Sequence, residues 1–469
     1  MSPLNKPHHF DPVILREYDI RGQVGLNLSN QDAYALGLSF GTFTQHETQQ
    51  TAPLVCVGYD GRHSSPDFSE HLIRGLLESG CNVQLIGIGP TPMLYYSVKH
   101  LNADAGIMIT GSHNPSDYNG FKMTLQCGPI FGERIQEIGQ IAATGNYNRG
   151  LGKLSTLDIK DAYISRLMQD FTGGRGLKIA WDAGNGAAGE VLRLLTDKLP
   201  GEHILLYDEI DGDFPNHHPD PTVDKNLIDL QKTVLEDNCD LGIAFDGDGD
   251  RIGVVDERGR VIRCDILLTI YAREVLANHP GAPIIGDVKC SQVMFDEIAH
   301  LGGQPVMWKT GHSLIKDKIN ETGAPLAGEL SGHIFFADKY YGFDDALYCA
   351  IRLLNDVCDS HGALSSLTQD LPHLYDTPEI RIEVKREEKF ELLPKLIKSI
   401  KPKLSDDMII NDIDGMRVSN SKGWWLLRPS NTQDVLVFRA EAKSEQELRD
   451  IQAMISDEIS ALGYHIDFS

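Results

Sequence analysis

The sequence predicts an α/β protein whose last hundred residues form a smaller α+β domain. The first observation is a pattern found in three different thirds of the chain: a short β-branched run, a loop of small residues and then a helical period. The second is a C-terminal alternation of apolar and polar residues, typical of a half-exposed strand. The third is a length of 469 residues with 45 glycines, which suits several domains joined by tight turns.

Each of the three units is predicted as a strand followed by a helix. The strand ends and turns lie at 55–60, 178–186 and 283–287, and the helices at about 67–79, 189–199 and 291–300. Such turns occur in any α/β protein, so the pattern hints at three related units without proving a repeat.

The C-terminal segment follows a different plan. Strands are predicted at 379–384, 416–418, 424–427 and 434–439, with helices at about 389–400 and 444–462. This mixture predicts one sheet with a face covered by helices. Turns between the segments suggest four domains, at 1–155, 156–258, 259–371 and 372–469.

Charge and composition exclude several classes of protein. The formal net charge of −24 argues against a general nucleic-acid or anionic-membrane binder. It does not exclude an anionic small substrate, because a cleft can be locally basic. No run of about 18 apolar residues occurs, and the first residues lack the apolar stretch typical of a signal peptide, so a cytoplasmic protein without a membrane span is expected. The eight cysteines form no C-x-x-C pair, which predicts buried thiols rather than a zinc site or disulfide framework.

A serine-bearing loop follows the apolar run at 105–109. It reads TGSHNP at 110–115, so a strand delivers Ser112 to a strand end, where α/β folds place their sites. A loop serine beside His113 and Asn114 suits a nucleophile or a phosphate acceptor. The order differs from the G-x-S-x-G elbow of esterases, which disfavours acyl transfer. An ordinary turn is the alternative, since Ser, Asn and Pro are turn residues.

The run DGDGDR at 246–251 is the strongest signal for a metal site. Asp246, Asp248 and Asp250 alternate with glycines, so three carboxylates can converge on one hard cation. Strand-like runs bracket the motif, and burying three carboxylates there is costly without a metal. A calcium EF-hand is the rival, but Arg251 occupies the loop position that needs Gly. Three side-chain ligands with room for a phosphate oxygen suit Mg²⁺.

Two further loops carry polar groups suited to a sugar phosphate. The run GELSGH at 328–333 places Glu329 and Ser331 two residues apart, a pair able to grip neighbouring sugar hydroxyls. His333 in the same run can hydrogen-bond or move a proton. The run RPSNT at 428–432 offers a guanidinium fork, hydroxyls and backbone N–H groups, which describe a phosphate cradle. A polar turn explains either loop about as well on its own.

Smaller candidates each place a cation or a histidine at the end of an apolar run. They are YDIRG at 18–22, NGFK at 119–122, Lys289 and TGHS at 310–313. Singly, each of these is more often a surface charge than a functional group.

Together, the four main motifs make the chain similar to the α-D-phosphohexomutase superfamily, and within it to the bacterial phosphomannomutase/phosphoglucomutase branch. The resemblance runs from residues 18–22 to 428–432 and keeps the family order, with one motif in each of four domains. It implies a heart-shaped fold of three related α/β domains followed by a C-terminal domain resembling TATA-box-binding protein. It also implies an isomerase of carbohydrate metabolism that carries a phosphoserine.

The resemblance implies roles for individual residues. Ser112 matches the serine that carries the phosphoryl group, and Asp246, Asp248 and Asp250 match its Mg²⁺ ligands, together with a phosphoserine oxygen. The residues that match active-site groups near the transferring phosphate are Tyr18, Arg21, His113, Lys122, Arg251 and His333. Those that match substrate contacts are Lys289, His312, Glu329, Ser331, Arg428, Ser430, Asn431 and Thr432, of which the last four hold the phosphate that is not transferred. Lys122, with Arg21 nearby, and His333 are the candidates for deprotonating the attacking hydroxyl.

The activity implied is reversible phosphoryl transfer between C1 and C6 of mannose or glucose phosphates, through phosphoserine and a hexose 1,6-bisphosphate. Mg²⁺ and glucose 1,6-bisphosphate are the expected cofactor and activator. Leu330 and Asn431 favour the mannose/glucose branch over its alternatives, a phosphoglucosamine mutase or a sugar-bisphosphate synthase. A non-catalytic sugar-phosphate sensor is the rival from another class, and the intact Ser112 and Asp triplet speak against it. The expected partners are small hexose phosphates that feed nucleotide sugars for polysaccharides, and the chain is expected to be a monomer or weak homodimer.

Overall fold

The computed structural model describes residues 6–360, 362–385, 389–404, 407–430 and 435–468. Within these residues four β-sheets follow one another along the chain. The first three mix parallel and antiparallel strands, and the fourth is antiparallel. This succession confirms the predicted architecture of α/β units followed by an α+β domain.

The first sheet has the strand order β1-β5-β4-β2-β3-β7, with β6 paired to β5. Strand β4 is buried along its whole length, as expected of a central strand covered on both faces. The elements of this unit are β1 (Ile20–Gln23), α1 (Asn30–Thr48), β2 (Leu54–Tyr59), α2 (Ser65–Ser79), β3 (Asn82–Ile88), α3 (Thr91–His100), β4 (Ala105–Ile109), β5 (Tyr118–Leu125), β6 (Gly128–Pro129), α4 (Glu133–Thr144) and β7 (Leu154–Thr156).

The second and third sheets have the orders β12-β11-β10-β8-β9 and β14-β13-β15-β16. The second unit contains α5 (Lys160–Met168), β8 (Leu177–Asp182), α6 (Gly189–Thr196), β9 (Gly201–Leu206), α7 (Ile228–Glu236), β10 (Leu241–Phe245), β11 (Ile252–Asp256) and β12 (Val261–Ile262). The third contains α8 (Cys264–Asn278), β13 (Pro283–Asp287), α9 (Gln292–His300), β14 (Gln304–Trp308), α10 (His312–Thr322), β15 (Leu326–Gly328), β16 (Ile334–Phe336) and α11 (Ala346–Asp359).

One arrangement recurs in the first three sheets: β3-β2-β4-β5, β9-β8-β10-β11 and β14-β13-β15-β16. In each, three parallel strands are followed by one antiparallel strand. The recurrence confirms the prediction of three related units. The loop that joins the third strand to the fourth carries Ser112 in the first unit, the Asp triplet in the second and Glu329 in the third. The repeat therefore places three motifs at equivalent strand ends.

The fourth sheet has the order β17-β22-β21-β20-β19, with β18 paired to β22. Ser430 is buried at the end of its β21–β22 hairpin, whereas the predicted Asn431 and Thr432 lie outside the described residues. The elements are β17 (Tyr375–Asp376), β18 (Ile380–Glu383), α12 (Lys389–Ile400), β19 (Ile409–Asn411), β20 (Met416–Ser419), β21 (Gly423–Pro429), β22 (Val435–Ala442) and α13 (Glu445–Ala461).

One apolar cluster spans the first three units, each of which also has a cluster of its own, whereas the cluster of the fourth unit stays within that unit. Met108, Trp181 and Leu268, one from each of the first three units, belong to the same buried cluster. The cluster of the fourth unit is separate, and a small group that includes Val288 and Trp424 joins it to the third. Among the helices that the structure describes, none has the length and apolarity needed to cross a membrane.

The predicted domain boundaries stay predictions. Strand β7 ends at Thr156 and pairs with β3, one residue past the boundary set at 155. Strand β12 lies past the boundary set at 258 and pairs with β11 of the second sheet. All eight cysteines are free and, apart from Cys127, they are buried, in agreement with the sequence analysis.

Candidate active site

Ser112 faces the acidic loop of the second unit. Its Oγ lies 2.9 Å from Asp246 Oδ2 and 3.2 Å from His113 Nδ1, and the residue is only 2% exposed. The two loops approach closely at Gly247, where a Cβ atom would collide with the Ser112 carbonyl oxygen. The structure thus brings the predicted nucleophile and the predicted metal ligands together.

The three aspartates form a buried cluster with Lys122. One oxygen each of Asp246, Asp248 and Asp250 lies within 4.8 Å of the others. Lys122 on β5 donates to Asp248 at 2.7 Å and to Asp250 at 2.5 Å. Burial opposes the charge on Lys122, but the two carboxylates outweigh it and raise the pKa of the ammonium. Burial and the charges of its two neighbours raise the pKa of Asp246.

The cluster fits a divalent cation. Among the described residues nothing donates a hydrogen bond to Asp248 Oδ1 or Asp250 Oδ1, although both oxygens are buried. Buried carboxylate oxygens without a partner are costly, and a cation relieves that cost. Three carboxylates beside the Ser112 hydroxyl make the hard oxygen ligand set that Mg²⁺ prefers.

Arg21 on β1 donates hydrogen bonds to the serine loop of the same unit. Its Nη1 donates to the Gly111 carbonyl oxygen at 3.1 Å and to Asn114 Oδ1 at 2.6 Å. Its Nη2 donates to Asp19 Oδ2 at 2.5 Å. The guanidinium therefore holds the residues on either side of the Ser112–His113 pair.

His113 and Arg251 complete the surroundings of the serine. Burial, together with the charges of Arg251 and Arg21, holds the pKa of His113 well below its ordinary value, so its ring is neutral. Arg251 is a half-buried cation whose Nε donates to His333 Nε2 at 3.0 Å. This bond ties the loop of the second unit to the loop of the third.

Asp344 connects both predicted histidines of the third unit. Its Oδ2 lies 3.0 Å from His333 Nδ1 and 3.5 Å from His312 Nδ1, and Lys316 donates to its Oδ1 at 3.0 Å. The two imidazole rings stack with centroids 5.3 Å apart, and the Tyr18 ring meets His312 edge-on. Burial and the charge of Lys316 lower the pKa of His312 to about 4.

Glu329 and Ser331 lie side by side, as their spacing predicted. The Ser331 hydroxyl donates to Glu329 Oε2 at 3.0 Å, and the Gly311 N–H donates to Glu329 Oε1. Burial raises the pKa of Glu329 against the lowering effect of His333. A carboxylate and a hydroxyl held together in this way suit recognition of neighbouring sugar hydroxyls.

The remaining predicted cations meet where the third and fourth units touch. Lys289 Nζ lies 3.0 Å from Glu379 Oε2, and Arg428 Nε donates to Asp414 Oδ2 at 3.0 Å. The charge of Lys289 outweighs burial and lowers the pKa of Glu379 to about 2. In turn, Glu379 raises the pKa of Lys289 against the effect of burial.

Sequence reasoning missed several side chains of the site, among them Thr91, Asp344, Glu379 and Asp414. Thr91 donates to Asp248 at 2.5 Å across 157 positions of the chain. For Asp344 the sequence held a local signal, an acidic doublet at 344–345 whose second member caps α11. The others carry no recognisable pattern, since tertiary packing selects their partners.

Comparison with known proteins gives the same picture along the whole chain. Residues 12–149, 161–259 and 263–375 match the phosphoglucomutase/phosphomannomutase alpha/beta/alpha domains I, II and III, and residues 379–458 match the C-terminal domain of that family. A phosphomannomutase/phosphoglucomutase of Pseudomonas syringae pv. tomato is 43% identical over 468 residues, which is 99% of each chain. A phosphoglucomutase of Neisseria gonorrhoeae is 39% identical and covers 94% of this chain and 95% of its own.

A solved structure agrees with these relatives. The phosphoglucomutase/phosphomannomutase family protein of Burkholderia thailandensis superposes with a TM-score of 0.91 at 39% identity, covering 98% of this chain and 100% of its own. These likenesses confirm the predicted superfamily, its four-part architecture and the prediction of an enzyme. The chain belongs to the phosphoglucomutase/phosphomannomutase family.

Proposed function

We propose that the protein interconverts the 1-phosphates and 6-phosphates of mannose and glucose, with Ser112 as the phosphoryl carrier. One observation carries the proposal: the Ser112 hydroxyl lies 2.9 Å from Asp246 in a buried cluster of three carboxylates surrounded by cations. Phosphoryl transfer needs little covalent assistance from the protein and much positioning and charge compensation. This cluster offers both.

In the first half-reaction the bond between phosphorus and Ser112 Oγ breaks, and a bond forms to the free hydroxyl of the hexose phosphate, which loses its proton. Asp246, Asp248 and Asp250 would hold Mg²⁺, which when bound supplies positive charge against the phosphoryl oxygens. Arg21, Lys122 and Arg251 add fixed cations. Because Arg21 and Lys122 are buried and Arg251 is half-buried, solvent screens their charge less than it would at the surface.

The product of this step is a hexose 1,6-bisphosphate. After the sugar turns over, its other phosphate transfers to Ser112 Oγ, and the second hexose phosphate leaves. In either orientation Glu329 and Ser331 would bind sugar hydroxyls, while Arg428 would hold the phosphate that stays. Of the two candidates for taking the hydroxyl proton, His333 is favoured. The two aspartates hold Lys122 as a charged ammonium, which has no lone pair for a proton.

The finer predictions belong to the same proposal. They are Mg²⁺ as the metal, glucose 1,6-bisphosphate as activator, and a cytoplasmic monomer or weak homodimer. A phosphoglucosamine mutase or a sugar-bisphosphate synthase would use the same scaffold. Sedimentation across a range of concentrations tests the oligomeric state.

The test is turnover with Mg²⁺ and a trace of glucose 1,6-bisphosphate. Mannose 1-phosphate, glucose 1-phosphate and glucosamine 1-phosphate run side by side. We expect comparable rates on the first two, a loss of at least about 1,000-fold in Ser112→Ala, and abolition by EDTA that Mg²⁺ reverses. The exposed Ser165→Ala on α5 is the matched control and should keep the wild-type rate.

Each alternative gives a different result. A dominant rate on glucosamine 1-phosphate would move the protein to the neighbouring branch, and accumulation of bisphosphate would indicate a synthase. Full activity of Ser112→Ala would refute the phosphoserine. Full activity in chelator would refute the metal site.

A further inference from the structure

Ser112 adopts a backbone conformation that non-glycine residues rarely take. Its φ angle is 49°, in the left-handed region that disfavours residues with a Cβ atom. Such a conformation persists only where the surroundings hold it, and it is frequent at functional sites. The contacts that hold Ser112 therefore decide where its Oγ points.

The loop that contains Ser112 surrounds the guanidinium of Arg62. The Arg62 side chain has no exposed surface, and its N–H groups face the inside of the loop. It donates to four carbonyl oxygens, those of Ser112 at 2.8 Å, Asn114 at 2.6 Å, Pro115 at 2.5 Å and Tyr118 at 2.8 Å. A guanidinium has five N–H donors in a rigid fork, and the fifth, Nε–H, donates to Asp60 at 3.1 Å.

Asp60 completes the arrangement from the same turn. Its Oδ2 accepts the Gly111 N–H at 3.1 Å, next to the bond from Arg62 Nε. Its Oδ1 accepts the Arg62 backbone N–H at 3.0 Å and the Ser65 hydroxyl at 2.6 Å. The carboxylate thus balances the buried charge of Arg62 and fixes the residue before Ser112.

The sequence of the loop fits this contact. A Cβ atom on Gly111 would collide with the Arg62 guanidinium, so the glycine of the TGSHNP run makes room for the arginine. Both Asp60 and Arg62 follow β2, which pairs directly with β4, the strand that delivers the loop. The arrangement therefore rests on the centre of the first sheet.

We propose that Arg62 and Asp60 are positioning residues that hold Ser112 in its left-handed conformation, so that Oγ faces Asp246. The inference rests on the proposed function, since it concerns the serine that carries the phosphoryl group. Arg62 differs from Arg21 in that carbonyl oxygens and Asp60 use all its donors, which leaves none for substrate. Its loss should slow the chemical step rather than weaken substrate binding.

The test is Arg62→Lys, which keeps the charge but not the fork. Because one ammonium cannot donate to four carbonyl oxygens, we expect kcat to fall by about 10- to 100-fold, the cost of a small misplacement of a reacting group. KM should stay within about threefold. Phosphoryl transfer from labelled glucose 1,6-bisphosphate to Ser112 should slow by the same factor as kcat. The control is Arg74→Lys on α2, whose exposed guanidinium lies over the Tyr34 ring.

The outcomes separate this inference from the proposed function. Wild-type kcat and labelling in a folded Arg62→Lys variant would overturn the inference, and so would a raised KM with unchanged kcat. If Arg62→Lys does not fold, Asp60→Asn carries the same test, because it removes the balancing charge and keeps the shape. Full activity of Ser112→Ala in the same series would overturn the proposed function itself and, with it, the role of Arg62.

Discussion

The two ends of the candidate active site are built differently. The transfer end, defined by Ser112, Lys122 and the Asp triplet, lies among units that one buried apolar cluster spans. The distal end, defined by Lys289, Arg428, Glu379 and Asp414, lies where the third unit meets the fourth, which has a core of its own. The transfer end therefore lies against a continuous interior, and the distal end lies at the contact between the third and fourth units.

The difference is also one of charge. At the transfer end, two buried carboxylate oxygens accept no hydrogen bond from the described residues, although Lys122 pairs with the other oxygen of each carboxylate. At the distal end each cation already has a carboxylate partner. The transfer end is thus arranged to receive a cation, and a substrate phosphate at the distal end has to compete with Glu379 and Asp414.

The largest effect is expected from Lys122→Met at the transfer end. Without the ammonium, Asp248 and Asp250 lose their shared donor, so in EDTA the free energy of unfolding should fall by about 3–5 kcal/mol, as for a broken buried ion pair. Mg²⁺ should recover more stability in this variant than in the wild type, since the cation replaces the lost charge. Urea denaturation with EDTA and with Mg²⁺ measures both effects.

Lys232→Met is the control for that experiment. Lys232 forms an exposed pair with Glu236 on α7, and such pairs contribute at most about 1 kcal/mol. An equally small loss in both variants, insensitive to Mg²⁺, would show that the charges of the transfer end are not coupled as the structure indicates.

The next effect concerns the distal end. Arg428→Ala removes the guanidinium proposed to hold the phosphate that is not transferred. A hydrogen bond to a charged group contributes about 1.5–3 kcal/mol, so KM for glucose 1-phosphate should rise by about 10- to 100-fold. Steady-state kinetics with Arg449→Ala, an exposed arginine of α13, as control measures the change. Unchanged KM with reduced kcat in Arg428→Ala would show that Arg428 acts on the chemical step rather than on substrate binding.

Sequence patterns predicted most of the transfer end because its chemistry lies next to apolar strands. Ser112 and the Asp triplet each follow a fully buried strand, and a strand end is a local feature that a pattern can reveal. The same local pattern hinted at three related units, but their strand order was seen only in the structure. The prediction that these loops meet in one site came only from the resemblance to a known superfamily.

The contacts that hold the site were not predictable in this way. Arg62 meets Ser112 across 50 positions and Lys289 meets Glu379 across 90, so no local spacing indicates either pair. Arg62 looks like a surface charge beside Gly61 and His63 in the sequence, yet it has no exposed surface. Packing between strands and between units decides these partners.

The smallest effect is expected from Glu379→Gln, which tests whether Glu379 competes with a substrate phosphate for Lys289. Loss of the Glu379 carboxylate removes the nearer partner of Lys289 and leaves only Asp287 Oδ2 at 3.8 Å. A substrate phosphate then meets less competition, so KM should fall by about two- to fivefold, corresponding to about 0.5–1 kcal/mol. Glu383→Gln, at an exposed position of β18, the strand that follows Glu379 directly, is the control. Unchanged or raised KM in Glu379→Gln would show that the pair does not compete with substrate.

The pH dependence of this effect follows from the charge of the pair. Lys289 lowers the pKa of Glu379 from its ordinary value near 4.5 to about 2. A lowered carboxyl pKa means that the pair stabilises the fold above pH 4.5 and that this contribution is lost only as the pH falls toward 2. Between pH 6 and 9 Glu379 stays charged. The ratio of the KM of the wild type to the KM of Glu379→Gln should therefore be constant over this range. A ratio that changes across this range would assign the competition to another group.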